Sequence, residues 1–300
     1  MKITITKLGL LLMAFILTGC KEQAQDIGSG NRFSCAEHNN TISCWGDNLT
    51  EGLVSGDFKF VSLLTKRTFT DPQLAVGGYH YCVLDEGEVQ CFLNNEHQQT
   101  EVPELSNPYE IASGASYSCA LDDTGLVCWG EVPYLEELPE SLENPRNLVA
   151  GFSHICLNDD NGTQCGGFSW TGDASVNPPE SFSSPTLLTS SPLSLYTCGF
   201  QDRWLCWGGG YTYELPEALA GADTTVPGYL HACSITDGVI GCWGDGSFGP
   251  LKADVPVNIT NPKKVSVGLL HACTIADEGV VCWGEDFDSD DPAINPPFYL

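Results

Sequence analysis

Residues 265–284 of this 300-residue chain read VSVGLLHACTIADEGVVCWG, and versions of this pattern recur along the sequence. The most regular feature is a pair of cysteines eight or nine residues apart, which occurs seven times. The first cysteines of successive pairs are 35–47 residues apart, a period typical of propellers and other repeat arrays. The pairs use fourteen of the fifteen cysteines: Cys35 with Cys44, Cys82 with Cys91, Cys119 with Cys128, Cys156 with Cys165, Cys198 with Cys206, Cys233 with Cys242, and Cys273 with Cys282.

Other residues recur with the cysteines. A glycine precedes the first cysteine by five residues in six copies, whereas the fifth copy has Leu193 there. The residue two before that cysteine always has a ring: Phe33, His80, Tyr117, His154, Tyr196, His231 and His271. Because one of them is Phe33, no chemical role is common to all seven, and we predict packing and hydrogen bonds between units. A histidine metal ring is the alternative. Five second cysteines begin Cys-Trp-Gly, and this regularity predicts that their tryptophans are packing residues: Trp45, Trp129, Trp207, Trp243 and Trp283.

The middle of each cysteine pair has the chemistry of a hairpin turn. Examples are Asn39-Asn40, Glu86-Gly87 and Asp237-Gly238, which tolerate the positive φ of two-residue turns. Such a turn places the two cysteines opposite each other, about 4.5–5.5 Å apart at Cα and within reach of a disulfide. Structural zinc is the alternative, but its ligands usually come from knuckles with two to four intervening residues. The spacing therefore favours one disulfide per unit.

The two ends of the chain suggest how the repeats close. Asn-Pro precedes the repeat glycine by seven residues at Asn107-Pro108, Asn144-Pro145 and Asn261-Pro262, with a short apolar stretch between them. The first copy has no such stretch before Gly30, and the chain ends with residues 295–300 in the same phase. We therefore predict that the C-terminal strand completes the first unit, because closure protects sheet edges that would otherwise pair with other chains.

At this level of detail the repeat resembles a known family. The hexapeptide that begins at Gly268 and the tetrapeptide Val281-Cys282-Trp283-Gly284 are similar to the repeat of regulator-of-chromosome-condensation propellers, in a cysteine-rich bacterial form. The resemblance covers about residues 30–300 and implies an all-β, seven-bladed β-propeller with one disulfide per blade. The Gly-Gln-Leu-Gly stretch that often follows Trp-Gly in the family is mostly absent. Since the units are also short, we expect some blades to lack an outer strand.

The N-terminal segment has the features of a targeting signal. Lys2 and Lys7 precede an apolar run that is too short to span a membrane. Residues 17–20, Leu-Thr-Gly-Cys, are similar to a bacterial lipobox, which implies removal of residues 1–19 and lipidation of Cys20. An ordinary secretory signal is the alternative. Residues 20–29 are then a lipidated tether and residues 30–300 the propeller. Lys21 follows the lipidated cysteine, which by the family's sorting rule implies the outer membrane, on its periplasmic or surface side.

Composition indicates the cellular compartment and the class of partner. Disulfides persist outside the cytoplasm, which agrees with export. The formal net charge is −27, and a polyanionic nucleic acid needs a basic surface, so nucleic-acid binding is disfavoured. We expect a monomer that contacts the membrane through its lipid only.

Aromatic residues outside the repeat phase are the candidates for partner binding, because loops on a rigid scaffold usually carry recognition residues. These candidates are Trp170, Trp204, Tyr211, Tyr213, Phe248 and Phe287. Residues 286–291 are acidic but lack the glycine and the final glutamate of an EF-hand loop, so we interpret them as a solvated loop. Lys59, Lys66 and Arg67 form a small basic cluster.

The sequence contains no nucleophile elbow, zinc-protease motif or phosphate-binding glycine loop. The favoured hypothesis is a non-catalytic, envelope-anchored scaffold that binds a protein or a glycan, without cofactor or metal. The alternative is an extracytoplasmic glycan hydrolase or lyase, which would need two or three carboxylates, out of repeat register, at one mouth of a central channel. Nucleotide exchange on a small GTPase, known in the eukaryotic relatives, conflicts with export.

Overall fold

A computed structural model describes residues 24–46, 63–64, 68–135, 137–168, 176–208, 211–216, 221–229, 231–244 and 255–284. Within these ranges the fold consists of β-strands apart from one short 3₁₀ helix, Glu180–Phe182. The strands form seven antiparallel sheets, each built from consecutive segments of the chain. No helix of the described part is long and apolar enough to cross a membrane.

The first four sheets, or blades, follow the sequence repeat. Blade 1 contains β1 (Asp26–Ser29), β2 (Phe33–His38), β3 (Thr41–Gly46) and β4 (Leu63–Leu64). Blade 2 contains β5 (Gln73–Val76), β6 (His80–Asp85) and β7 (Glu88–Leu93). Blade 3 contains β8 (Glu110–Ser113), β9 (Tyr117–Asp122) and β10 (Gly125–Gly130). Blade 4 contains β11 (Arg146–Ala150), β12 (His154–Asp159) and β13 (Gly162–Gly167).

The last three blades repeat the same order. Blade 5 contains β14 (Leu187–Thr189), β15 (Tyr196–Phe200), β16 (Trp204–Gly208) and β17 (Tyr211–Glu214). Blade 6 contains β18 (Thr224–Pro227), β19 (His231–Thr236) and β20 (Val239–Gly244). Blade 7 contains β21 (Lys264–Val267), β22 (His271–Ala276) and β23 (Gly279–Gly284). In the part of the chain that the structure describes, five blades have three strands, which agrees with the short repeat.

The predicted hairpins and disulfides are present in every blade. Each second strand pairs with its third strand so that the two cysteines are direct partners. The disulfides join Cys35 to Cys44, Cys82 to Cys91, Cys119 to Cys128, Cys156 to Cys165, Cys198 to Cys206, Cys233 to Cys242, and Cys273 to Cys282. Their Cα atoms are 3.9–4.1 Å apart, slightly closer than the sequence predicts. Asn39 and Asn40 have φ values of 52° and 58°, so this turn uses the left-handed conformation that its residues favour.

The Asn-Pro dipeptides fasten the entry of a blade to its own hairpin. Asn107 has φ 51°, and its Nδ2 donates to Asp123 Oδ2 at 2.6 Å. Asn261 repeats this arrangement with Asp277 at 3.2 Å. An asparagine tolerates this backbone conformation and provides the donor, so one residue performs both roles.

Ring closure differs from the prediction in one respect. β1 pairs with β2 in blade 1, with Gly28 opposite Cys35, so residues inside the predicted tether form the inner strand that the first copy was expected to lack. The prediction that the C-terminus fills this place is therefore wrong, because β1 occupies it. Residues 295–300 themselves lie outside the described ranges.

Blade 7 nevertheless packs directly on blade 1, which closes the ring. Lys264 Nζ donates to Asp26 Oδ1 at 2.7 Å, and the Ser29 and Ser266 hydroxyls hydrogen-bond at 2.7 Å. Because the first and last blades make direct polar and packing contacts, the first blade completes the toroid with a strand from its own N-terminal side.

The hydrophobic core lies between neighbouring blades, as the recurring tryptophans predict. Trp45, Trp129, Trp207 and Trp283 are buried, and Trp243 is half-buried. Trp129 Nε1 donates to Gln99 O at 2.9 Å and Trp207 Nε1 to Val176 O at 2.9 Å. Both carbonyls belong to the connection that leads into the same blade, so these tryptophans also hold the connections in place.

Candidate functional site

The central channel is narrow, and most of the residues that line it are apolar. Its volume is about 260 Å³, and all seven inner strands line it with short side chains such as Ala75, Ala112 and Val226. Serine and threonine hydroxyls are the polar side chains among its described lining residues, which include no carboxylate or histidine. The channel wall described here therefore offers no acid–base pair.

In the described part of the chain, two of the inner strands that line the channel begin with a carboxylate. Glu110, the first residue of β8, accepts a hydrogen bond from Leu148 N of blade 4 at 2.7 Å. Burial raises the pKa of Glu110, and backbone hydrogen bonds oppose that rise. Asp26 is the first residue of β1 and pairs with Lys264. Both acids are thus in repeat register and bonded to a neighbouring blade, which is the opposite of the arrangement that the enzyme hypothesis requires.

The recurring histidines form hydrogen bonds between blades, as predicted. His80 Nε2 lies 2.7 Å from Ser118 Oγ, and His154 Nε2 lies 2.9 Å from Thr197 Oγ1. Across the closure, His271 Nε2 lies 2.9 Å from Ser34 Oγ. Burial lowers the pKa of His80 to about 3 and those of His154 and His271 to about 4. These rings are therefore neutral at physiological pH.

The hydroxyl partner always occupies the same position, directly before the first cysteine of the next blade. His231 is the exception, because the equivalent residue of blade 7 is Ala272. His231 is 8% exposed, and its Nε2 is a buried atom without a hydrogen-bond partner. No group of three or more potential metal ligands occurs within the described ranges.

Trp204 is not available for partner binding, so that prediction is wrong. Only 2% of Trp204 is exposed, and its Nε1 donates to Ala222 O at 2.8 Å. Its ring packs on Phe200 with centroids 5.6 Å apart. Alternation along β16 places Trp204 on the same side as Cys206, in one buried cluster. The shortened hairpin of blade 5 therefore carries a core tryptophan at its start.

Side-chain geometry does not test the prediction that the other aromatic residues bind a partner. Tyr211 and Tyr213 belong to β17, where only the backbone is described. The remaining residues singled out in the sequence lie outside the described ranges: Cys20, Lys59, Lys66, Arg67, Trp170, Phe248, Phe287 and residues 286–291.

A groove that sequence reasoning missed lies between blades 3 and 4. This blade 3 groove has a volume of about 590 Å³ and is bounded by the hairpin turn of blade 3 and by the connection to blade 4. Its wall includes Leu126, Leu135, Leu138 and Leu142, and acidic residues also line it: Asp122, Asp123 and Glu140. The sequence feature that could have pointed to this groove is Gly166. It stands in blade 4 at the position where the other repeats have tryptophan or Phe92.

Comparison with solved structures shows the propeller fold. The CRINKLY WD40 ectodomain of the Arabidopsis thaliana receptor kinase ACR4 is 21% identical, with TM-score 0.60, covering 89% of this chain and 97% of that one. Human WBSCR16 is 16% identical, with TM-score 0.62 and coverages of 85% and 88%. Prp20p of Saccharomyces cerevisiae, the yeast RCC1, is 18% identical, with TM-score 0.45 and coverages of 84% and 68%.

At these identities the likeness concerns the fold and carries no activity with it. No family model matches the chain, and no curated protein matches it. The chain is therefore an all-β, seven-bladed propeller with one disulfide in each blade, and its seven disulfides indicate an oxidising compartment. A propeller of this kind is compatible with a binding scaffold.

Proposed function

We propose that this protein is an exported, non-catalytic propeller that binds a protein or glycan partner at the cell envelope. The observation that carries the proposal is the bonding of the recurring histidines and of the two carboxylates that begin inner strands. Three of the four repeat histidines, and the carboxylates Asp26 and Glu110, are hydrogen-bonded or ion-paired to a neighbouring blade. These groups serve contacts between blades, and a rigid ring is well suited to present its surface connections.

The proposal includes a lipid anchor at Cys20. The lipobox-like residues 17–20 and the positively charged start support it, and Lys21 supports an outer-membrane destination. Oxidising conditions outside the cytoplasm agree with the disulfides. Replacing Cys20 by serine should abolish incorporation of labelled palmitate and move the protein from the membrane fraction to the soluble fraction. Unchanged palmitate labelling would show that the lipid is attached at another residue.

The binding role is tested with the full-length protein, purified in detergent with its disulfides intact and immobilised. Envelope extract is passed over it, and over a reduced and alkylated sample of the same protein as control. We expect a partner that is retained by the oxidised protein alone and that binds saturably when purified. Turnover of envelope glycans by the oxidised protein, abolished by one carboxylate substitution, would instead establish the enzyme hypothesis.

A further inference from the structure

The wall of the blade 3 groove is preformed. Leu126, Leu135 and Leu142 are half-buried and pack on the core shared by blades 3 and 4. Leu138 N donates to Leu135 O at 3.0 Å, which folds the connection back on itself. The leucines therefore occupy fixed positions, and a ligand would not have to order them first.

Gly166 makes room for this wall. A Cβ atom at position 166 would lie 2.7 Å from Leu138 Cγ and 3.4 Å from Leu135 Cδ2. In five other blades a tryptophan occupies the equivalent position. Because blade 4 lacks that side chain, the connection packs directly on β13. The glycine at position 166 therefore accounts for the position of the groove wall.

The rim of the groove is negative. Asp123 and Glu140 line it with exposed carboxylates, whereas the Asp122 carboxylate is buried and accepts hydrogen bonds from Ser106 N and Thr124 N. Tyr109, which is 50% exposed, also contributes to the lining. Burial raises the pKa of the Tyr109 hydroxyl, and the charges of Glu110, Asp122 and Asp123 raise it further. The hydroxyl thus experiences the field of several carboxylates.

The residues that line this groove include no lysine, arginine or histidine. Between Thr68 and Asp202 the sequence contains one lysine or arginine, Arg146. Its Nη1 pairs with Asp160 Oδ1 at 3.0 Å and also donates to Asn144 O at 2.8 Å. The groove therefore combines an aliphatic wall with carboxylates that lack a nearby basic partner among the lining residues.

We propose that the blade 3 groove binds a cationic peptide segment of a partner protein, with aliphatic side chains against the leucines and lysine or arginine opposite the carboxylates. This inference rests on the proposed binding role. A volume of about 590 Å³ lies within the range of about 300–1,000 Å³ typical of ligand sites. The leucine wall suits aliphatic side chains, and the negative rim excludes acidic partners.

The test uses the full-length disulfide-bonded protein and a short fluorescent peptide of alternating lysine and leucine. Fluorescence anisotropy should show saturable binding that weakens at high salt. Two control peptides separate the contributions: one has serine in place of leucine, and the other has glutamine in place of lysine. We expect both to bind at least about ten-fold more weakly.

Three variants and two matched controls locate the site. Leu138→Ser should weaken the lysine–leucine peptide about ten-fold, and Glu140→Gln about three-fold. The matched controls are Val239→Ser, an exposed apolar residue of blade 6, and Glu88→Gln, an exposed acid of blade 2. Neither control should change the affinity. Gly166→Ala should weaken binding through displacement of Leu138, without removing any lining side chain.

Each alternative outcome overturns the proposal. Equal binding of the serine control peptide would mean diffuse attraction to an acidic protein. Wild-type affinity in Leu138→Ser would place the peptide elsewhere, and self-association lost in that variant would make the occupant a second copy. If Leu138→Ser still retains the envelope partner, the groove proposal fails while the binding role stands. If the wild-type protein retains no partner, the binding role itself fails.

Discussion

His231 of blade 6, whose Nε2 has no hydrogen-bond partner, allows a quantitative test of how the blades are joined. The substitution is Ala272→Ser, which places a hydroxyl where Ser34, Ser118 and Thr197 already stand in other blades. In those blades the hydroxyl lies 2.7–2.9 Å from the Nε2 of the preceding blade's histidine. We expect the new serine to hydrogen-bond His231 Nε2 in the same way.

The magnitude follows from the two states of that nitrogen. A buried polar atom without a partner costs about 1–3 kcal/mol, and a neutral hydrogen bond contributes about 0.5–1.5 kcal/mol net. Ala272 is 0% exposed, but Ser118 is accommodated at the equivalent position with 1% exposure, so the added oxygen should fit. Ala272→Ser should therefore raise the free energy of unfolding by about 1 kcal/mol.

The assay is guanidinium chloride unfolding of the oxidised protein, followed by tryptophan fluorescence. The control is Ala232→Ser, the same change one blade earlier, where the preceding ring residue is Tyr196 rather than histidine. Ser118→Ala is the reciprocal variant and should lower the free energy of unfolding by about 1–3 kcal/mol, because it leaves His80 Nε2 without its hydroxyl. Equal effects of Ala272→Ser and Ala232→Ser would refute the reasoning.

Three further predictions concern stability. The four repeat histidines, His80, His154, His231 and His271, have pKa values that burial lowers to about 3 or 4. Below about pH 6.5 the unfolded chain therefore binds more protons than the folded one. Each histidine should remove up to about 1.4 kcal/mol per pH unit as the pH falls towards its folded pKa, as measured by denaturant midpoints from neutral to acid. Trp204→Ala should lower the free energy of unfolding by about 3–5 kcal/mol in the same assay, and a loss below about 1 kcal/mol would contradict its place in the core. Asn107→Ala should cost about 1–2 kcal/mol more than Asn107→Gly, because alanine also disfavours the left-handed backbone; equal thermal shifts would rule out this explanation.

Local features of this fold are predictable from the sequence, and contacts between distant segments are less so. The hairpins follow from the cysteine spacing and the turn residues, which lie within ten residues of each other. Ring closure is harder, since β1 has no Asn-Pro before it and resembles a linker in composition. Trp204 is predicted from the sequence to be an exposed binding residue because the shortened hairpin moves it out of the repeat pattern. Alternation along the strand nevertheless directs its side chain into the core.

The repeat also provides a comparison inside one chain. His80, His154 and His271 face a hydroxyl in the next blade, whereas Tyr117 bonds to backbone carbonyls of blade 4 instead. Aligning the position before each first cysteine would reveal this pairing, and it would single out His231. The blade 3 groove is harder to predict from the sequence. Gly166 is recognisable as an exception to the repeat, but the leucines that pack against it are twenty-eight to thirty-one residues earlier.

Departures from the repeat are informative because the repeated residues have structural roles. The paired cysteines, the tryptophans, the histidines and the Asn-Pro dipeptides all bond or pack within and between blades, so their recurrence is explained by the ring itself. A residue that breaks the pattern at a buried position must change the local packing. Ala272 leaves a nitrogen unpaired, which affects stability alone, whereas Gly166 admits a whole connection and with it an open, negatively charged groove. Under the proposed binding role, we expect recognition to reside in such exceptions and in the connections that they admit.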